Sequence, residues 1–356
     1  MKIGVILPNN IWFCPYMSIY THILDENKID YDIISWNKDG RDPHIGYQYS
    51  DKSVLLNKGI LSKIIAYAKY VRFVKNVVNE NQYDKLIVFG PQISIFLSSF
   101  LAKRYKGKYI LDYRDLSIEQ KPILKQLFNK VLANSFFNAI SSPGFKKCLS
   151  NKYHYVISHN FDISLVNKAL GSNKEIPFNS SPINVLTIGG IRNYDSNVKV
   201  IESLANQENI CVNFVGKGIA AEPLENYSKK RKFFNVYFKG FYEKHQEASF
   251  IIECSFINIF YPRIISHDTI MSNRFYNALI YKKPMIVTSN STQGDYVEKY
   301  NLGLSVENCE NLAEKLKAFI ENQDAAEFNK RCNSLLREFV KDYELFKAKV
   351  LSFVKN

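Results

Sequence analysis

"KLIVFGPQISIFLSSFLAKRYKGKYILDYRD", residues 85–115, decides the fold. It opens on a short apolar run ending in glycine, passes through a helical stretch to about Tyr105, and closes on a second apolar run, KYILDYRD. Two continuous apolar runs joined by a helix read as parallel strands buried on both faces of a sheet. Toward the N-terminus the pattern continues, with KIGVILP and DYDIISW as strands and a long helix from about Leu55 to Asn79. Toward the C-terminus come a helix through Leu132, the strand NAISS, a helix to Leu149 and the strand HYVISHN. Alternation of this kind predicts a doubly wound α/β sheet.

The alternation stops between residues 163 and 182, where Gly, Ser, Asn and two prolines give the composition of an interdomain linker. A second series then begins. INVLTIGG, ICVNFVGKG, NVYFKGFY, FINIFYP, PMIVTS and GLSV read as six further strands, with helices between most of them. The expected organisation is an N-terminal Rossmann-like domain over 1–162, a linker over 163–182 and a C-terminal Rossmann-like domain over 183–335. A C-terminal helix over 336–356 packs on the second domain or crosses back to the first.

Composition narrows the classes of function. The 356 residues are 46% hydrophobic, enough for two ordinary cores, and no run approaches a membrane span or a signal peptide. A cytoplasmic protein is expected. The six cysteines and six histidines lack the close spacings of metal sites or disulfide frameworks, so most cysteines are expected to be buried small hydrophobes and no metal is expected. Forty-seven Lys and Arg against thirty-four Asp and Glu give a net charge of +13, which favours phosphate-bearing ligands, nucleic acid or an acidic membrane surface. No nucleic-acid recognition motif accompanies that charge, so nucleic acid is not an expected partner.

Ligands of open α/β sheets bind beyond the carboxyl ends of the strands. In the second half, Gly189 and Gly190 let main-chain amides approach a ligand, and Arg192 follows them; a plain tight turn is the alternative. Lys217 in GKG either joins them or is simply solvated. Ser272 or Asn273 is placed to cap a helix whose first turn carries Arg274, so that amides and a guanidinium fork could together receive a diphosphate. Asn277 lies on the same helix face as Asn273, within reach of a sugar hydroxyl. Arg274 as a surface charge and Asn277 as a neutral helix residue are the plainer readings.

Several of these stretches together resemble a known family, the GT-B glycosyltransferases, and particularly the family 4-like bacterial enzymes of capsule, O-antigen and exopolysaccharide synthesis. The likeness rests on Asn273-Arg274-Phe275-Tyr276-Asn277, on Lys282-Lys283-Pro284 before MIVT, and on ILDYRDLS, HNFD and VLTIGGIR. It implies two Rossmann-like domains facing across a cleft and a nucleoside-diphosphate sugar donor, UDP in preference to GDP. It also implies transfer without metal or cofactor, with retention at the anomeric carbon.

The resemblance places the diphosphate at Gly189, Gly190, Arg192, Lys217 and Arg274, and the donor ribose or sugar at Asn273, Tyr276 and Asn277. Asn277 and Thr269 stand where that family has the second and first acids of a Glu-x7-Glu pair, and an amide cannot grip two hydroxyls as a carboxylate does. Asn9 and Asn10 stand on the acceptor side where paired glycines are usual. Asp115 could orient or deprotonate the acceptor hydroxyl, or cap a helix; His159 could touch the sugar, or be a satisfied histidine at a strand end.

One helix suggests a partner of another kind. Ile60, Ile64, Tyr67, Val71, Val74 and Val78 form an apolar stripe with Lys58, Lys69 and Arg72 near the opposite face, so this domain could dock on anionic lipid at the inner face of a membrane. A polyprenyl-diphosphate-linked saccharide would suit that location. A non-catalytic GT-B-like protein that binds a partner or lipid head group, and a nucleotide-sugar epimerase, are the competing functions.

Overall fold

Two all-parallel sheets organise the computed structural model, which describes residues 1–52, 59–172 and 181–356. The first contains β1 (Lys2–Ile6), β2 (Asp30–Asn37), β3 (Tyr47–Ser50), β4 (Lys85–Phe89), β5 (Tyr109–Tyr113), β6 (Phe137–Ile140) and β7 (Tyr155–Ile157), in the order β3-β2-β1-β4-β5-β6-β7. The second contains β8 (Ile183–Ile188), β9 (Ile210–Val215), β10 (Val236–Lys239), β11 (Phe256–Ile259), β12 (Met285–Thr288) and β13 (Gly303–Val306), in the order β10-β9-β8-β11-β12-β13. The central strands are buried at nearly every residue because helices cover both faces, which is why they read as apolar runs.

β3 is the strand the sequence hides. YQYS alternates aromatic with polar side chains at a sheet edge and buries none of its residues fully, so it has no apolar run to betray it. The six strands expected in the second series are all present.

The chain divides into a first unit of residues 1–159 with 342–356 and a second unit of 160–341. The stretch 163–182 opens with a helix, Ile163–Gly171, started by Asp162, whose carboxylate accepts from Ser164 N at 2.8 Å; Val166 is part of the second unit's core. Residues 173–180 lie outside the described ones. The final helix, Ala325–Lys355, contributes Phe346, Val350 and Phe353 to the core of the first unit, where Phe346 meets Tyr20 edge to face at 4.9 Å.

In the first unit the steps β3 to β4, β4 to β5 and β5 to β6 all move one way along the sheet, whereas β1 to β2 moves the other way. Right-handed crossovers therefore place helices Ile60–Asn81, Pro91–Phe96 and Pro122–Asn134 on one face and Ser18–Glu26 on the opposite one. The three-helix layer is continuous, each helix touching the next. The stripe read on the first of these helices needs correction: Val71, Val74 and Val78 are buried and Tyr67 is half-buried on Phe96, but Ile60 and Ile64 are exposed. Ala66 is the first fully buried residue of that helix, so its opening turns have no core beneath them. All six cysteines are free; five are buried and Cys211 is half-buried.

Candidate functional site

In the second sheet the strand order reverses at β8, with β9 on one side and β11 on the other, and the crevice beyond these carboxyl ends is where such sheets take ligands. Arg274 spans this point. Its Nε donates to Ile188 O at the end of β8 (2.6 Å), Nη1 to Asn258 O of β11 (3.3 Å) and Nη2 to Gly190 O (3.0 Å). The sequence suggested an open fork for a diphosphate; here three of the five guanidinium N–H groups are taken up by main-chain carbonyls. Arg274 is the second residue of helix Asn273–Ile280, only 9% exposed, and it joins the first turn of that helix to the glycine loop.

That loop is fixed by glycines. Gly189 has φ +91°, and a Cβ on Gly216, at φ +131°, would lie 2.1 Å from Gly189 O. A Cβ on Gly218 would fall 2.1 Å from Ile191 O, and Ile191 N donates to Lys217 O at 3.1 Å. The turns after β8 and β9 are thus packed main chain against main chain, which no larger side chain would permit. Arg192 is exposed and passes over Gly190, whose added Cβ would meet its Nε at 3.4 Å. Both arginines therefore converge on Gly190. Lys217 is exposed, its Nζ 5.4 Å from the Phe241 ring centre.

Ser272 occupies the N-cap position without capping. Its hydroxyl donates to Gln293 Oε1 at 2.7 Å, and its main-chain N donates to the same oxygen at 3.0 Å. The helix thus starts beside the glycine loop with no side-chain cap, leaving a positive end. Asn273 is exposed and accepts from Asn160 Nδ2 at 2.6 Å; Asn277 is half-buried.

Tyr276, expected near the sugar, is instead a core residue at 1% exposure, with Phe161, Phe275 and Phe339 around its ring. Three residues beyond Asn273, it falls on the helix face that carries Phe275 and Leu279 inward. Thr269 is also buried, its hydroxyl donating to Ile265 O at 2.7 Å.

Sequence reading places Gln293 and Arg263 in strand-end stretches but gives neither a role; Arg263 Nη1 donates to Ser289 O (2.7 Å) and its Nε lies 3.1 Å from Asp268. Sequence reading missed Tyr242, which donates to Glu247 at 3.0 Å and whose hydroxyl lies 3.9 Å from where a Cβ on Gly189 would stand. None of these has a spacing signature, because each reaches the site from a different strand-end loop.

In the first unit the residues read as functional are largely structural. Asn10 is 1% exposed; its Nδ2 donates to Asn37 (3.1 Å) and Asp39 (2.7 Å), and its Oδ1 accepts from Lys38 N (3.2 Å). It stitches the loop after β1 to the loop after β2, while Asn9 beside it is half-buried and accepts from Asn10 N. His159 is buried and its Nε2 lies 3.0 Å from Asp342 Oδ2; burial pulls its pKa below the usual value against the opposing pull of Asp342. Asp115 is exposed at the end of LDYRD.

Beneath Asp115 lies a group that sequence reading did not assemble. Arg114 donates to Asp112 through Nε (2.5 Å) and Nη2 (2.8 Å), and to Ser158 O and Oγ at 2.9 Å each, while Tyr20 donates to Asp112 at 2.6 Å. Burial would lower the guanidinium pKa, but Asp112 more than offsets this and the pKa is raised. Lys38 was also missed: it donates to Pro8 O at 3.1 Å over the Trp36 ring, and burial pushes its pKa down to about 8.

No family model matches the chain, and no curated protein does. Solved structures do match along its whole length. Sucrose-phosphate synthase of Thermosynechococcus elongatus superposes with a TM-score of 0.69 at 13% identity, covering 100% of both chains. HepE of Anabaena, in complex with UDP and glucose, gives 0.65 at 15% identity, covering 99% of each chain. WaaG, a glycosyltransferase involved in lipopolysaccharide biosynthesis, gives 0.59 at 12%, covering 99% of this chain and 98% of that one. A UDP-N-acetylglucosamine 2-epimerase of Rickettsia bellii shares the architecture at 0.56 and 11%, covering 98% of each, so the fold alone does not separate transfer from epimerisation. The chain has the GT-B fold, with two Rossmann-like units in one polypeptide.

Proposed function

We propose that this protein is a glycosyltransferase that moves a sugar from a nucleoside-diphosphate donor, UDP in preference to GDP, to a saccharide acceptor. The observation that carries the reading is the convergence at Gly190 of a glycine-fixed loop, the exposed Arg192 and the uncapped first turn of helix Asn273–Ile280. Main-chain amides, a helix end and a guanidinium at one point form an anion-binding site that can neutralise a departing diphosphate. That chemistry needs no metal; retention is the outcome we expect from the family likeness alone. Lys217 adds charge from the neighbouring loop, Asn273 and Asn277 reach the donor's ribose or sugar, and Arg274 holds the loop in shape. Asp115 serves the acceptor hydroxyl. The acceptor we envisage is a polyprenyl-diphosphate-linked saccharide of bacterial surface polysaccharide synthesis, met at the inner face of the cell membrane.

Arg192→Ala is expected to weaken UDP binding by about 1.5–3 kcal/mol, the worth of a charge-assisted contact, while leaving uridine binding nearly unchanged. Calorimetric titration of both ligands checks this; equal losses would remove the diphosphate from Gly190. Incubation with a panel of nucleotide sugars, followed by thermal shift and slow donor hydrolysis, tests the wider reading, and silence toward every donor would sink it.

The second reading, a non-catalytic binding protein, is favoured by one observation: Thr269 and Asn277 stand where an acidic pair would grip the ribose, and Thr269 is buried against its own helix. Asn277→Glu tests the ribose position on which this comparison depends, while slow donor hydrolysis separates the two readings. A restored carboxylate is expected to tighten UDP binding if the ribose lies over this helix, and unchanged affinity would place the ribose elsewhere.

A further inference from the structure

Six large aliphatic side chains of the first unit stand in solvent along one rim. Ile60 (74% exposed), Leu61 (77%), Ile64 and Ile65 occupy the first two turns of helix Ile60–Asn81. Ile123 (79%) and Leu127 occupy the first two turns of helix Pro122–Asn134. All strands of the sheet are parallel, so the helices return antiparallel to them and begin at its carboxyl edge. The two helices share a face with helix Pro91–Phe96 between them, which puts the aliphatic ends roughly 20 Å apart on the same rim. Trp12 and Phe13, half-exposed and stacked at 3.5 Å, follow β1 at this edge too.

The exposed charge carried by these two helices is almost entirely of one sign. Lys63, Lys69, Arg72, Lys121, Lys125 and Lys130 are exposed on or next to these two helices. The one exposed acid among the residues of both helices is Glu80, at the far end of the first. Single exposed aliphatic residues are ordinary; six on one rim among unpaired-sign cations are an interaction surface. A second copy of the chain would bring the same cations face to face, which disfavours self-association through this rim.

We propose that this rim is a membrane-docking surface, its isoleucines and leucines entering the interfacial layer of an anionic bilayer while lysines and arginine hold the head groups. The proposal gives the membrane association above a defined surface, and it rests on exposure and charge rather than on transfer chemistry. The rim is also the ligand-binding edge of the first sheet, so docking would present that edge to lipid-borne molecules.

The full chain should co-sediment with vesicles of equal parts phosphatidylglycerol and phosphatidylcholine, and be released by salt. It should not co-sediment with phosphatidylcholine alone. Trp36 is fully buried, so a blue shift of tryptophan emission on binding would report Trp12. Leu61→Asp with Ile123→Asp, both at solvent-exposed positions, should cut vesicle binding about tenfold or more, and Lys63→Glu with Lys125→Glu about fivefold per charge reversed. Circular dichroism and UDP binding should be unchanged in both variants.

Absence of binding to the anionic vesicles, or undiminished binding by the aspartate pair, overturns the proposal. So does a dimer, seen by light scattering, that the aspartate pair dissociates while vesicles bind neither form. Vesicle binding without any response to UDP would instead uphold docking and remove the sugar-transfer reading.

Discussion

Arg114→Ala should destabilise the first unit by about 3–5 kcal/mol, the cost of leaving a buried charge without its partner. Asp112 is fully buried, and with Arg114 gone only the Tyr20 hydroxyl would remain of the donors named above. Asp112→Ala should cost a similar amount, since the guanidinium would keep only Ser158 O and Oγ. The double replacement should cost much less than the sum of the two, because each single change already forfeits the pair. A coupling energy of about 2 kcal/mol or more is expected for contacting groups in one network. Urea unfolding of the four proteins gives the cycle, and hydrogen exchange at β5 and β7 localises the loss to the strands that the pair joins. Additive losses would show that Asp112 and Arg114 act separately. The consequence for function runs through Ser158, which Arg114 anchors and which precedes His159 in the chain.

The fold was legible because its signal is repeated. Twelve apolar runs at helix-length spacings force a parallel arrangement, and losing one edge strand, YQYS, does not change that. The site was legible only where chemistry is local in sequence. Gly189, Gly190 and Arg192 are consecutive or nearly so, and the structure brings them together with Arg274. Asn10 and Tyr276 were misread, and His159 was left between a sugar contact and a satisfied strand-end histidine, because sequence shows a residue's type and periodicity but not its partners. Asn10 meets Asn37 and Asp39 across two loops, His159 meets Asp342 from the last helix, and Tyr276 turns inward within a helix whose outer face is only two residues wide at that point. The aliphatic rim was hidden for a related reason: the stripe from Ile60 to Val78 has the right period for burial, and only the position of the sheet edge decides where burial starts.

Arg274→Ala should produce the other large effect, and a mixed one. The guanidinium satisfies carbonyls from β8, β11 and the glycine loop, and removing it strips a donor from each of three acceptors at the topological switch point. At about 1–3 kcal/mol for each buried group left unsatisfied, a loss of about 3 kcal/mol or more is expected in the second unit. UDP binding should fall with it, because Gly190 would no longer be held against the first turn of helix Asn273–Ile280. Arg274→Lys separates shape from charge: an ammonium keeps the positive charge but cannot reach three divergent carbonyls as a planar fork does. If Arg274 acts by holding the loop, the lysine variant should lose most of the stability and most of the UDP affinity, whereas Arg192→Ala should lose affinity at unchanged stability. If Arg274 acts mainly as a cation beside the diphosphate, the lysine variant should keep most of the UDP affinity. Urea unfolding and calorimetric titration on these variants decide between the two, and a stable Arg274→Ala protein, within about 0.5 kcal/mol of the parent, would show that the three carbonyls do not depend on it.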